Sequence, residues 1–154
     1  MKKTMLMLVS AVLSVSFASH AAFEKADSGT ASAQFLTFGA GAGAAGMGDA
    51  FTSVASGASA VYWNPAGLAK QSALSATLAH SILVQDMSYE WVSAAYPHLG
   101  GALGLGIQYL SYGGIKEVDA SGVDTGELSP SDLAVTVSYG RKVSALNAGI
   151  SAKY

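Results

Sequence analysis

Leu133-Ala134-Val135-Thr136-Val137-Ser138-Tyr139-Gly140 carries a large apolar side chain at every odd position and a small or polar one at every even position. Successive side chains of a β-strand point to opposite faces, so this octet predicts a strand with one greasy face and one slim face. Leu103-Gly104-Leu105-Gly106-Ile107-Gln108-Tyr109 repeats the pattern with glycine on the slim face. Leu146-Asn147-Ala148-Gly149-Ile150-Ser151-Ala152-Lys153-Tyr154 makes a third case. Leu74, Ala76 and Leu78 against Ser75 and Thr77 give a weaker fourth, and Tyr89 to Tyr96 a fifth whose facing is left open by Trp91 and Val92. Five such segments predict antiparallel β structure in an all-β fold.

The connections sort by length. Pro97-His98-Leu99-Gly100 and the Val143-Ser144 join are tight, whereas Ser81 to Ser88 is longer and Tyr112 to Ser131 is a long run of Gly, Asp, Glu and Ser. Short turns at one end and long polar loops at the other are how outer-membrane barrels are built. The slim face (Gly104, Gly106, Gln108, Thr136, Ser138, Asn147, Ser151, Lys153) suits a lumen better than a second hydrophobic sheet. Tyr109, Tyr139 and Tyr154 fall on the apolar face near strand ends, where an aromatic girdle would place them. The pattern therefore predicts the N-terminal part of an antiparallel transmembrane β-barrel, with residues 71–154 as its first five strands. The smallest bacterial barrels have about eight strands. Five cannot close, and open edges leave unpaired N–H and C=O groups in hydrocarbon. The expectation is thus a piece of a larger barrel. The contrary hint is Tyr154, which follows apolar residues at every second position as in the last strand of a complete barrel; such a chain would have to oligomerise. A soluble periplasmic β domain is the alternative.

The beginning of the chain reads as an export signal over residues 1–21. Lys2 and Lys3 form the positive end, Met5 to Ala18 the apolar core, and Ser19-His20-Ala21 the small-residue cleavage region. That core is too short for a bilayer span, which takes about 20 residues. Without Lys2 and Lys3, 6 basic side chains face 10 acidic ones, a net charge of −4, and no basic block points to nucleic acid. There is no cysteine, so disulfides cannot hold an exported chain of this kind together. Charged residues are 12% and hydrophobic ones 51%, yet past the leader no apolar run is long enough for a membrane helix.

Candidate chemistry is sparse. Gly41-Ala42-Gly43-Ala44-Ala45-Gly46 satisfies the dinucleotide fingerprint by letter, but no Asp or Glu occurs between Asp49 and Asp86 to take a ribose. His80 and His98 lie near strand ends without a second ligand at metal-binding spacing. No serine sits in a G-x-S-x-G setting, and Glu117, Asp119, Asp124 and Glu127 do not match a calcium loop. The expectation is no enzyme, no cofactor and no metal.

Residues 22–70 remain. They begin polar, reach Phe35-Leu36-Thr37-Phe38, and pass through a Gly/Ala run from Gly39 to Gly48 that can only be a loop or a closely packed liner. Ser56, Gly57 and Ser59 can cap a short helix whose Ala58, Val61 and Tyr62 share a side. Asn64 before Pro65 is pushed out of helical conformation, and Gly67 permits a tight reversal. Such an element could fold into a lumen and line or block it; a plain periplasmic linker is the alternative.

Gly46-Met47-Gly48-Asp49-Ala50-Phe51 followed by Ala58-Ser59-Ala60-Val61-Tyr62-Trp63-Asn64-Pro65-Ala66-Gly67-Leu68-Ala69 resembles the N-terminal signature of the PorV/PorQ family, in the superfamily of FadL-type outer-membrane transporters. The stretch from Gly113 to Asp132, running into Leu133–Tyr139, is similar to that family's first long loop and returning strand. The resemblance implies an outer-membrane location with lipid around it, and binding or passage of hydrophobic small molecules without chemistry. It makes the region of Phe51, Tyr62, Trp63, Asn64, Pro65 and Gly67 a plug that binds ligand or gates the path. A PorV-like role, docking exported proteins at the cell surface during type IX secretion, is the other function it implies. Ser56-Gly57 departs from relatives that often carry acidic residues there, and relatives continue well past Tyr154.

Overall fold

The computed structural model describes residues 33–154, so the expected leader over 1–21 and the start of the expected plug, 22–32, lie outside the described residues. The described part is mostly antiparallel β-sheet. Seven strands follow a series of short helical turns: β1 (Ser75–Ile82), β2 (Ser88–His98), β3 (Gly101–Ser111), β4 (Ile115–Val118), β5 (Asp124–Leu128), β6 (Ser131–Val143) and β7 (Leu146–Lys153). One sheet has the order β1-β2-β3-β6-β7, every pair antiparallel, and β4 with β5 forms a separate two-stranded ribbon. The sheet is open, with β1 and β7 at its edges. The ribbon lies in the long polar stretch after Tyr112, which the alternation pattern did not mark as strand; Ile115 faces Leu128 and Lys116 faces Glu127 across it.

Both short connections are two-residue hairpins. Leu99 and Gly100 each take positive φ, the geometry whose twist matches that of the flanking strands. Ser144 is likewise left-handed at the β6–β7 join. Pro97 and His98 belong to β2 rather than to the turn, pairing with Ala102 and Gly101. Pro97 is tolerated because β1 pairs with β2 only as far as Ala95, so that flank of the strand is free.

The two faces of the sheet are unlike, and the large apolar one is the bare one. Leu103, Leu105, Ile107 and Tyr109 of β3, with Leu133, Val135 and Val137 of β6, are exposed. The slim face is covered over β2, β3 and β6, where Ser93, Gln108, Thr136 and Ser138 are each no more than 2% exposed, while Asn147, Ser151 and Lys153 of β7 stay exposed. Trp91, whose facing the sequence left open, points to the covered face and is buried, while Val92 is exposed. What covers this face is the chain from Ala33 to Lys70: the 3-10 turn Gln34–Thr37, helix α1 (Ala42–Gly46), the 3-10 turn Gly57–Ser59, helix α2 (Ala60–Trp63) and the 3-10 helix Pro65–Lys70. The Gly/Ala run therefore forms one turn of helix, with Ala40 and Ala44 buried.

Small residues make this layering possible. A Cβ on Gly104 would meet Val61 and Leu68, and one on Gly140 would overlap the Pro65 carbonyl oxygen and crowd Leu68. Gly149 is closed off in the same way by the Pro65–Ala66 peptide. Leu68 and Val61 are the largest aliphatic side chains of the covering segment to be wholly buried, and they sit in the space these glycines leave. Dense packing penalises added carbon at such a contact by roughly 1–3 kcal/mol. Gly140→Val is expected to lower stability by that amount in a urea titration followed by tryptophan fluorescence. Val137→Ala on the bare face is expected to stay within about 0.5 kcal/mol of the parent.

Candidate functional site

The covering segment is fastened by side chains that donate to its backbone carbonyls. From the wall, Ser93 Oγ donates to the Ala58 carbonyl at 2.9 Å and Ser138 Oγ to the Val61 carbonyl at 3.4 Å. Within the segment, Trp63 Nε1 donates to the Ala40 carbonyl at 2.9 Å. The Tyr62 hydroxyl lies 3.0 and 2.8 Å from the Leu36 and Phe38 carbonyls. Both aromatic side chains thus tie the stretch 36–40 to α2.

Their rings form a connected run. Phe51 meets Trp63 edge-on at 5.9 Å between centroids, Trp63 meets Tyr62 at 4.9 Å, and Tyr62 meets Trp91 of β2 at 5.6 Å. Edge-to-face pairs of this kind add about 0.5–1.5 kcal/mol each beyond their buried area. Lys153 Nζ of β7 stands 4.9 Å from the centre of the Tyr62 ring, a cation–π contact between the segment and an edge strand. Burial, with a smaller contribution from the Asp49 carboxylate, holds the Tyr62 phenol above the usual tyrosine range.

Asn64, Pro65 and Gly67 lie beyond the aromatic run, toward the short-turn end. Asn64 is extended, as the following proline demands, and its side chain serves both directions. Oδ1 accepts from the Ala66 N–H at 3.1 Å and caps the 3-10 helix, while Nδ2 donates to the Thr52 carbonyl at 3.1 Å. Two sequence expectations are corrected here. Gly67 does not make a reversal: it lies inside the 3-10 helix, and its missing Cβ admits the Ala55 carbonyl oxygen. Neither Ser56 nor Ser59 caps with its side chain, since neither accepts a helix N–H; Asn64 is the side-chain cap of the segment.

The six residues singled out from sequence therefore occupy one continuous element, in two parts. Phe51, Tyr62 and Trp63 meet each other, whereas Asn64, Pro65 and Gly67 pack against Thr52, Ala55, Gly140 and Gly149. The sequence reading passed over Leu68 and Trp91 as partners of this element. For Trp91 the signal was present: it alternates in phase with Ser93 and Ala95, both slim-face residues.

Two buried acceptors on the wall, Gln108 Oε1 and Thr136 Oγ1, have no hydrogen-bond partner. The other end of the same amide is used: Gln108 Nε2 donates to the Tyr89 hydroxyl at 3.0 Å. Beside the 3-10 helix a recess of about 580 Å³ opens between Ser53, Ser56, Asn64, Lys70 and Asn147 of β7. The chain matches no family model, no curated protein and no solved structure.

Removing the cap by Asn64→Ala should cost about 1 kcal/mol through the lost Ala66 bond, read as a lower urea midpoint. The raised Tyr62 phenol also has a pH signature. A group whose folded pKa lies above its unfolded value stabilises fully below the unfolded value, and the gain is lost as pH rises through the folded one. Stability should accordingly fall as pH climbs beyond 10, the ordinary tyrosine value. Tyr62→Phe should remove a late-titrating phenolate from the ultraviolet titration and flatten that fall.

Proposed function

We propose that this chain is part of an outer-membrane β-barrel of the FadL type, resembling the PorV/PorQ family, that binds or passes hydrophobic compounds without chemistry. The segment around Phe51, Tyr62, Trp63, Asn64, Pro65 and Gly67 is its plug. One observation carries the reading. Over β2, β3 and β6 the sheet covers its slim, polar-bearing face and leaves its large apolar face bare. In water the hydrophobic effect drives the opposite arrangement, with large apolar side chains inside. Hydrocarbon outside and a plugged, polar-walled interior account for both faces at once.

The bare face has the layout of a lipid-facing band. Across the sheet, Leu78, Val92, Ile107 and Val135 stand in one row, and Ala76, Ala94, Leu105 and Val137 in the next. Tyr109 precedes them toward the long loops; Tyr96 and Tyr139 follow in the row of Leu103 and Ile150. Tyrosines thus flank the band at both ends, as girdles do. Tyr154, expected among them, instead pairs with Val135 in the middle of the band and is fully exposed. From the Tyr109 row to the row of Leu103 and Tyr139 the strands run about 20 Å, or roughly 15 Å along the bilayer normal at a barrel's usual tilt, which fits inside the ~25 Å apolar band of outer-membrane barrels.

The half-buried rings of Phe51, Tyr62 and Trp63 supply the contact surface for an apolar ligand. Docking of exported proteins is the second reading. It would use the β4–β5 ribbon, every residue of which is exposed at the long-loop end.

Both native tryptophans, Trp63 and Trp91, are on the plugged side, which permits a direct test. With the chain in vesicles, saturable quenching of these tryptophans by 1-bromonaphthalene is expected, with little quenching by lipids brominated in the acyl chain. A tryptophan placed on the bare face by Leu105→Trp should respond the other way. Absence of the chain from outer-membrane fractions would sink the proposal. Correct fractionation with no response to bromonaphthalene would leave the docking reading.

A further inference from the structure

Apart from Asp49 in the covering segment and Lys153 opposite Thr136, the charges of the described residues are sorted along the strands. The long-loop end holds Asp86, Glu90, the four acids between Glu117 and Glu127, and Asp132, against Lys116 alone. The short-turn end, residues 95–104 and 138–150, holds Arg141 and Lys142 and no acid. Lys70 joins them there, since it shares the recess with Asn147.

Arg141 continues the outer face beyond Tyr139. Its register neighbours are Gly101 on β3 and Ala148 on β7, neither large enough to cover it, and it is exposed. Lys142 follows beside the hairpin, opposite Asn147. Among the described residues the ion pairs are His80–Glu90 and Lys116–Asp124, so no described carboxylate pairs with Arg141 or Lys142.

We propose that Arg141 and Lys142 form a headgroup clamp that seats the short-turn rim of the sheet on anionic phospholipid of the adjoining leaflet. The inference rests on the membrane reading above and adds an orientation and a lipid class to it. Continuity carries it: the apolar band, the tyrosines Tyr96 and Tyr139, and then Arg141 succeed one another along the same face, and Lys142 stands beside it at the strand end on the other face. That is the order hydrocarbon, interface, phosphate. An arginine just outside an apolar band lays its stem along the acyl boundary and holds its fork at the phosphates. The guanidinium presents paired donors to phosphate oxygens, and the ammonium adds a point charge. The acidic opposite rim would be repelled by the same headgroups, so the two ends are not interchangeable.

The test uses the full chain with vesicles of phosphatidylcholine alone or with one third phosphatidylglycerol, scored by flotation at low salt. Each cation near an anionic surface contributes about 1 kcal/mol, so two favour the phosphatidylglycerol vesicles by roughly tenfold or more. Arg141→Gln with Lys142→Gln should abolish most of that preference, and Lys116→Gln at the other end should leave it intact. Equal partition of the parent chain into both vesicles, or a double variant that keeps the preference, would overturn the clamp while leaving the membrane reading standing. Failure to float on either vesicle would overturn both.

Discussion

The contact of Leu68 and Val61 with Gly104 and Gly140 is the constraint on which the rest of the structure depends. A sheet five strands wide has two faces, and this one gives the face with less side chain to its own N-terminal segment. The glycines lower that face by the depth of a side chain, and the segment drops into the space. Once seated, its backbone carbonyls accept hydrogen bonds from wall serines and from its own tyrosine and tryptophan. Among the described residues nothing covers the apolar face.

The strand part of the fold was readable because period-two alternation is a local property. Leu103–Tyr109 and Leu133–Tyr139 announce themselves without reference to anything else. The β4–β5 ribbon escaped because it is held by a few cross-strand pairs in a polar stretch, with a bulge at Glu117/Val118 that breaks the alternation. The end of β2 was misplaced for a different reason: Pro97 looks like a turn residue until it is known that β1 stops short of it.

Within the segment, chemistry that depends on one neighbour was legible and chemistry that depends on a distant one was not. Asn64 leaves the helical region because Pro65 follows it, which any reader of the sequence can state. The role of Gly67 depends on Ala55, twelve residues away, and conformational freedom was the wrong explanation for it. The caps went the same way: Ser56 and Ser59 have the right composition, but the turns around them close without their hydroxyls. The joining of Tyr62 to Trp91 and to Lys153 brings together residues far apart along the chain.

The glycine-lined wall has a consequence for how such a sequence can change over time. On the bare face one branched or aromatic residue can replace another, because no described residue packs against it. On the covered face, alteration is permitted in one direction only. Gly104, Gly140 and Gly149 have no room to gain a carbon, and Leu68 cannot be enlarged into them. Drift in this protein should therefore be lopsided: free among the large residues at odd positions of β3 and β6, and nearly frozen at the smallest residues beside them.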